Sequence, residues 1–337
     1  MWKNNSGLWR YLLMFACAWV TILAVNYFYG TIALFSVAGI FAVLVNYPVR
    51  WLTRYLPRWA AVTIAFVGTV AILLGLVALV GLEVLNQGQG LAARLLEVIE
   101  QPERLPFPDL LNQLDIRNFI STLQAGLVSG LNLVKTIFSS VFTVIFGAVI
   151  SLYMLIDGGK LWQSFLRFVP GPSRDRFDRI FQQSFIGFIR GQLLLMLFLS
   201  STTAVIFPIL GVNYALLLAI VLGLIDAIPG IGATLGCTLV IFLVFASQGL
   251  TVAIPVAIAC IVLIQIQDNI IRPKVMGDAL DLNPVILFLA LFIGQRVAGL
   301  LGIFLSIPIA GMIVAWISPD DEEIATVTTD ALGKAEL

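Results

Sequence analysis

Two ionisable residues stand alone in long apolar runs. Asp226 is the only charge between Gly191 and Gln267, and Arg296 the only charge between Leu282 and Pro319. A charge held near a bilayer centre costs about 2.5–3.5 kcal/mol on insertion scales, so such a side chain faces a protein interior or water and finds a partner. Each lies beside residues that break helices. Asp226 precedes Pro229, Gly230 and Gly232, and Arg296 sits among Gly294, Gly299 and Gly302. A shift of 70 residues superposes Asp226 on Arg296, Asn213 on Asn283, Leu217 on Leu287 and Gly232 on Gly302. Opposite signs at related positions lead to the expectation that the two charges meet, directly or through water, near a path for a polar solute. A polar stretch from Asp268 to Asp281, with Asn269, Arg272 and Pro273, and then Pro284, completes the set of path candidates.

Other chemistries lack their residues. The chain has no histidine, which removes imidazole acid–base catalysis and imidazole-ligated metals. Cys17, Cys237 and Cys260 are scattered, with no C-x-x-C pair, and read as small packing residues. No G-x-S-x-G, H-E-x-x-H or phosphate-binding G-x-x-x-x-G-K-[ST] run occurs. The expectation is a protein that is not an enzyme and carries no metal or cofactor. The 19 basic and 19 acidic residues cancel, which argues against a nucleic-acid partner held by bulk charge.

The elements that position these residues must sit in lipid. Of 337 residues, 60% are apolar and only 11% charged, against about 25% charged in a typical soluble domain. Residues 11–49, 59–82, 136–156, 191–225, 227–267 and 297–319 hold no charge. A spanning helix needs about 20 apolar residues. The runs therefore predict an all-α polytopic membrane protein with about six full spans. The stretches 213–246 and 283–316 do not fit that scheme. A straight helix of 34 residues would run about 51 Å, well beyond a hydrocarbon core of about 30 Å. Two half-helices meeting at a Gly/Pro tip fit instead, as re-entrant hairpins; two further kinked spans, eight in all, are the alternative. Irregular backbone at membrane depth requires cover by protein or a water-filled cavity. A span followed by a broken pair, occurring twice, reads as an inverted repeat of the kind that places a substrate site between interrupted helices.

Basic residues set the orientation. Lys3 and Arg10 precede the first span, and Arg50, Arg54 and Arg58 follow the second, with no acidic residue before Glu83. Both flanks read as cytoplasmic, and so does residues 157–190, with six bases against three acids. The organisation expected is spans 1–3 over 1–85, an extracytoplasmic amphipathic segment over 86–135, span 4 over 136–156, a cytoplasmic amphipathic segment over 157–184, a transport core over 185–316 and an acidic cytoplasmic tail over 317–337. In the outer segment Phe119, Leu123, Leu127 and Leu131 form one helical stripe, interrupted upstream by Pro102, Pro106 and Pro108. In the inner one, Trp162, Phe165, Phe168 and Phe177 alternate with Arg167, Arg174, Arg176 and Arg179, which suits aromatics in the leaflet and arginines near lipid phosphates.

Several motifs resemble the autoinducer-2 exporter (AI-2E) family. They are Asp226-Ala-Ile-Pro229-Gly230-Ile231-Gly232, Gln267-Asp268-Asn269-Ile-Ile-Arg272-Pro273-Lys-Val-Met-Gly277 with Leu282-Asn283-Pro284, and Gly294 with Gly299-Leu-Leu-Gly302 and Ile307-Pro308. Tyr153-Met-Leu-Ile-Asp157-Gly158, Val169-Pro170 with Arg174 and Arg176, and Ile189-Arg190-Gly191-Gln192 are similar as well. Gln295-Arg296 departs from the family, which more often places small or apolar residues there. The resemblance implies a multi-pass inner-membrane transporter of small molecules that forms homo-oligomers. Members have been linked to export of a quorum-sensing furanone, and some to sodium/proton exchange. The expected function is a secondary exporter of a small polar solute or signalling molecule, working by alternating access around broken helices. The alternatives are an oligomeric ion or solute channel, or a cation/proton antiporter. The expected partners are the small-molecule or ionic substrate, membrane lipid and copies of the chain.

Overall fold

The computed structural model describes residues 6–100, 116–139, 141–276 and 282–317. Pro102, Pro106, Pro108, Gly277 and the acidic tail lie outside them. Every regular element among the described residues is helical. In chain order these are α1 (Ser6–Tyr27), α2 (Tyr29–Leu52), α3 (Arg58–Glu100), α4 (Ile116–Ser139), α5 (Val141–Leu166) and the short α6 (Arg174–Ile180). A π-helical turn (Phe181–Ile186) leads into α7 (Gly187–Ile209), followed by α8 (Ala215–Ile225), α9 (Gly232–Gln248) and α10 (Leu250–Ile266). A second π-turn (Gln267–Ile271) joins α10 to α11 (Arg272–Met276). The last two are α12 (Pro284–Gly299) and α13 (Leu301–Ile317).

Among the described residues, six helical segments are long and apolar enough to cross a membrane: Trp9–Tyr27, Tyr29–Leu52, Arg58–Glu97, Thr143–Leu166, Gly171–Ile209 and Leu250–Met276. The charge-free run 11–49 supplies two of these, and 59–82, 136–156, 191–225 and 227–267 each supply one, several helices extending past the charge-free residues. The remaining apolar helices, α8, α9, α12 and α13, have 10–17 residues. The 11 residues of α8 extend only about 16 Å, half a hydrocarbon core. The broken stretches of the sequence are thus helix pairs, and each is built by a change of backbone direction that glycine permits.

The chain divides into two compact units. One comprises Gly30–Gly159 and Arg190–Val275. Its larger core joins Leu91 and Leu95 of α3, Phe207 of α7, Leu222 of α8, Val240 of α9 and Val256 of α10, all fully or nearly fully buried. A smaller core joins Val45 of α2, Val62 and Phe66 of α3, and Leu155 of α5. Helix α3 runs across residue 85 without a break. Its 43 residues extend about 65 Å, twice a hydrocarbon core, and Leu91 and Leu95 continue the apolar face that began in the span. Leu123 and Leu127 of α4 also lie against the larger core, and Leu131 lies over Gly88 of α3. The amphipathic stripe of α4 therefore packs on helices. The Phe119 side chain lies outside what is described.

The other unit comprises Met1–Tyr29, Lys160–Ile189 and Met276–Leu337. Here the inner aromatic residues gather on one another. Trp162 stacks on Phe181 with ring centroids 4.2 Å apart, its indole N–H donates to Asp178 Oδ1 at 2.7 Å, and Phe177 meets Trp316 edge-on. Arg176 lies over the Trp316 ring at 5.4 Å. Phe168 alone of the four aromatics singled out in the sequence is almost fully exposed, at 88%. Phe165, stacked on Trp162, is exposed as well, at 51%, so the stacked rings keep apolar surface open.

Candidate functional site

The first helix pair, α8–α9, turns at Asp226–Ile231. Three backbone bonds close the end of α8: Asp226 N–H to Leu222 O, Ala227 N–H to Leu224 O and Ile228 N–H to Ile225 O. Pro229 cannot donate, and Gly230 takes φ 83°, a conformation that costs other residues steric strain. The chain then reverses, and Gly232 N–H bonds to Ile228 O at 2.7 Å. A Cβ on Gly232 would run into the Ile225 carbonyl and lie 2.7 Å from Asp226 Cα. One on Gly236 would lie 2.7 Å from Leu222 Cδ1. Gly223, on the other face of α8, meets Ser200 and the Met196 carbonyl of α7. Small residues at these crossings let the backbones approach, as in membrane bundles generally.

This packing places Asp226 inside the protein, at 1% exposure. Gln267, in the π-turn after α10, donates from Nε2 to Asp226 Oδ2 at 3.0 Å. Gln192, near the start of α7, donates from Nε2 to the Asp226 backbone carbonyl. The backbone N–H of Ala233, in the first turn of α9, is a further donor toward the carboxylate. Both glutamines are fully buried. A buried polar group requires hydrogen-bond partners, and the tip of the hairpin, α7 and α10 are tied together by that requirement. The other end of the hairpin is held separately. Gln248 at the end of α9 accepts from Asn213 N–H and donates to Gly211 O, and Gln87 of α3 accepts from Leu217 N–H.

The remaining candidates of this unit lie just beyond. Arg272 pairs with Asp268 at 2.9 Å, one helical turn apart, on a partly exposed face. Asn269 bonds back to Gln265 O and Pro273 lies in α11. Arg190, two residues before Gln192, lies over the Tyr47 ring at 4.7 Å.

The second unit holds the other candidates. Pro284 opens α12, and Asn283 caps that helix through a bond from Val285 N–H to its Oδ1 at 2.9 Å. The helix stops at Ala298 and Gly299, whose φ is 53° and ψ −135°. The chain folds back there. A Cβ on Gly294 would meet the Gly302 carbonyl, and one on Gly302 the Gly294 carbonyl, although the two residues would be about 12 Å apart along a continuous helix. Gly232 and Gly302 therefore hold like places: each begins a second arm against the backbone of the first. Gln295 and Arg296 are exposed on the last turns of α12.

Asp226 and Arg296 belong to different units, and the Asp226 carboxylate finds donors within its own. Gln192 and Gln267 were not among the path candidates of the sequence. Both are neutral amides at the edges of apolar runs, and only their position in resembling motifs marked them. Among the described residues no cluster of three or more His, Cys, Asp or Glu side chains could hold a metal.

Residues 8–319 match the AI-2E family transporter profile. A protein of Synechocystis sp., provisionally named as a transport protein, is 28% identical over 340 residues, covering 93% of this chain and 85% of its own. A similarly named Bacillus subtilis protein, YueF, is 26% identical over 301 residues, covering 83% and 81%. One from Mycobacterium tuberculosis is 26% identical over 326 residues, covering 91% and 87%. The chain belongs to the AI-2E family of membrane transporters.

Proposed function

We propose that this AI-2E family member is a secondary exporter that moves a small polar solute or signalling molecule across the cell membrane by alternating access. The observation that carries the reading is the broken hairpin α8–α9. Its non-helical tip is enclosed by α7 and α10, and the buried carboxylate of Asp226 sits in that tip. A purely structural bundle has no need of irregular backbone and a charge at such depth, since both are costly in lipid. A transporter uses them: broken helices expose backbone dipoles to a solute, and a tip held by hydrogen bonds has two arrangements available to it.

In this reading Asp226, Pro229, Gly230 and Gly232 line or shape the path in one unit, with Asn269, Arg272 and Pro273 near its entrance. Pro284, Gly294, Arg296, Gly299 and Gly302 shape the second hairpin. The pattern of basic residues supports cytoplasmic termini in an inner membrane, and the family resemblance supports assembly with further copies of the chain. A cation/proton antiporter is the second reading, favoured by the buried carboxylate of Asp226, which suits a small cation as well as a solute.

The test is transport by the purified protein in proteoliposomes, with sodium, proton or no gradients imposed. Saturable solute flux driven by an ion gradient supports the exporter. Ion exchange with no solute dependence supports the antiporter. Conductance that does not saturate contradicts both.

A further inference from the structure

We infer that the acidic run Asp320, Asp321, Glu322 and Glu323 docks on Arg176 and Arg179 of α6, closing an ionic clasp between the end of α13 and the segment 157–184. Nowhere else in the chain do two like charges stand side by side. Adjacent carboxylates repel one another, so the run is most stable beside positive charge. Residues 157–190 carry six bases against three acids, an excess of three that the four carboxylates match closely.

The packing of α13 brings the two together. Trp316, on its last turn, holds Arg176 over its ring at 5.4 Å and meets Phe177 at 6.2 Å between centroids. A Cβ on Gly311 would lie 4.0 Å from Ser184 Cβ, so α13 also runs beside the π-turn that follows α6. Asp320 is four residues beyond Trp316, and four residues reach at most about 14 Å. Arg179 follows Arg176 by three positions, which places both on one face of α6. Arg176 is half-buried and Arg179 exposed. The other arginine of α6 serves elsewhere: Arg174 donates from Nε to Leu166 O at 2.8 Å and from Nη2 to Val169 O at 3.4 Å, bracing the preceding turn. Asp178 accepts from the Trp162 indole, which engages one of the two carboxylates on α6. The contact of Arg176 with Trp316 keeps the arginines and the acidic run on one side of the membrane, whichever way the chain is inserted. Anionic lipid carries the same sign of charge as the run. The run has the advantage of its tether, since a short linker supplies an effective concentration in the millimolar range. Exposed ion pairs are individually weak and are screened by salt. The clasp is therefore one that ionic strength opens, and it does not depend on the transport reading.

The experiment is carbodiimide coupling of the purified full chain, which joins an amine to a carboxylate with loss of water. Arg176→Lys and Arg179→Lys supply the amine and keep the charge. Isotopically light and heavy chains are mixed, and coupled peptides are identified by mass spectrometry in detergent and in nanodiscs of anionic lipid. Either variant should couple to residues 320–323 of its own chain in both settings. The yield should fall at least about threefold in 1 M salt, where the Debye length is about 3 Å. No coupling, or coupling only between light and heavy chains, overturns the clasp. Coupling in detergent that is lost in anionic nanodiscs gives the arginines to lipid and overturns it too. A second measurement needs no change in α6. With Asp320→Asn, Asp321→Asn, Glu322→Gln and Glu323→Gln combined, hydrogen exchange of α6 should quicken about threefold or more, the scale of one or two exposed ion pairs. Unchanged exchange in that variant contradicts the docking.

Discussion

At the scale of single residues, the buried tip makes opposite demands on Asp226 and on its donors. Asp226→Asn keeps the shape and an oxygen for the Gln267 amide, so the variant should reach the membrane in near-normal amount. Its flux should fall at least tenfold if the charge belongs to the path. Gln267→Leu removes a hydrogen bond to a charged group, worth about 1.5–3 kcal/mol, and leaves the carboxylate without that donor. It should lower the Tm, and Asp226→Asn added to it should recover part of the loss. Equal losses in the two single variants, with no recovery in the double, would show that the amide does not serve the charge. The sequence marked Asp226 because a lone charge in an apolar run is conspicuous. It named Gln192 and Gln267 only within resembling motifs and not as path candidates, because an uncharged amide at the edge of a span has many ordinary roles. Only the fold brings α7 and α10 to the same tip.

At the scale of elements, the hairpins rest on glycines with two different duties. Gly230 and Gly299 supply positive φ, and alanine at either should cost about 1–2 kcal/mol from backbone strain. Gly232 and Gly302 supply space. Alanine there should cost about 1–3 kcal/mol as overpacking, because the added Cβ meets backbone, which has no rotamer to move. Gly126 in α4 is the control, with open space around it. Gly126→Ala should be neutral or stabilising, by up to about 1 kcal/mol. Thermal unfolding of the five variants in one detergent orders them; Gly232→Ala as stable as Gly126→Ala would contradict the close crossing. The sequence did disclose the breaks, since 34 apolar residues are too many for one span and too few for two. It did not disclose how far α3 runs. The apolar run ends near residue 82, but Leu91 and Leu95 still lie on the core, and the helix continues to Glu100. Nor did the spacing of Trp162, Phe177 and Phe181 disclose that these rings stack on one another.

At the scale of the whole molecule, the six long spans and the two hairpins follow from counting apolar residues against bilayer thickness. Orientation rests on where arginine and lysine fall, and it can be checked directly. With Cys17, Cys237 and Cys260 replaced, a cysteine at Ser121 should react with an impermeant reagent in intact cells, and one at Asp175 should not; the reverse pattern inverts the topology. Function at this scale is not encoded in composition, since channels, exporters and antiporters share the same need for apolar spans. The measurement that bears most directly on the central claim is solute flux in proteoliposomes, comparing the wild type with Asp226→Asn under an imposed ion gradient. The account predicts saturable, gradient-dependent flux in the wild type and at least a tenfold lower rate in Asp226→Asn at equal protein incorporation. Flux that ignores the gradient, or that is the same in both proteins, would contradict it.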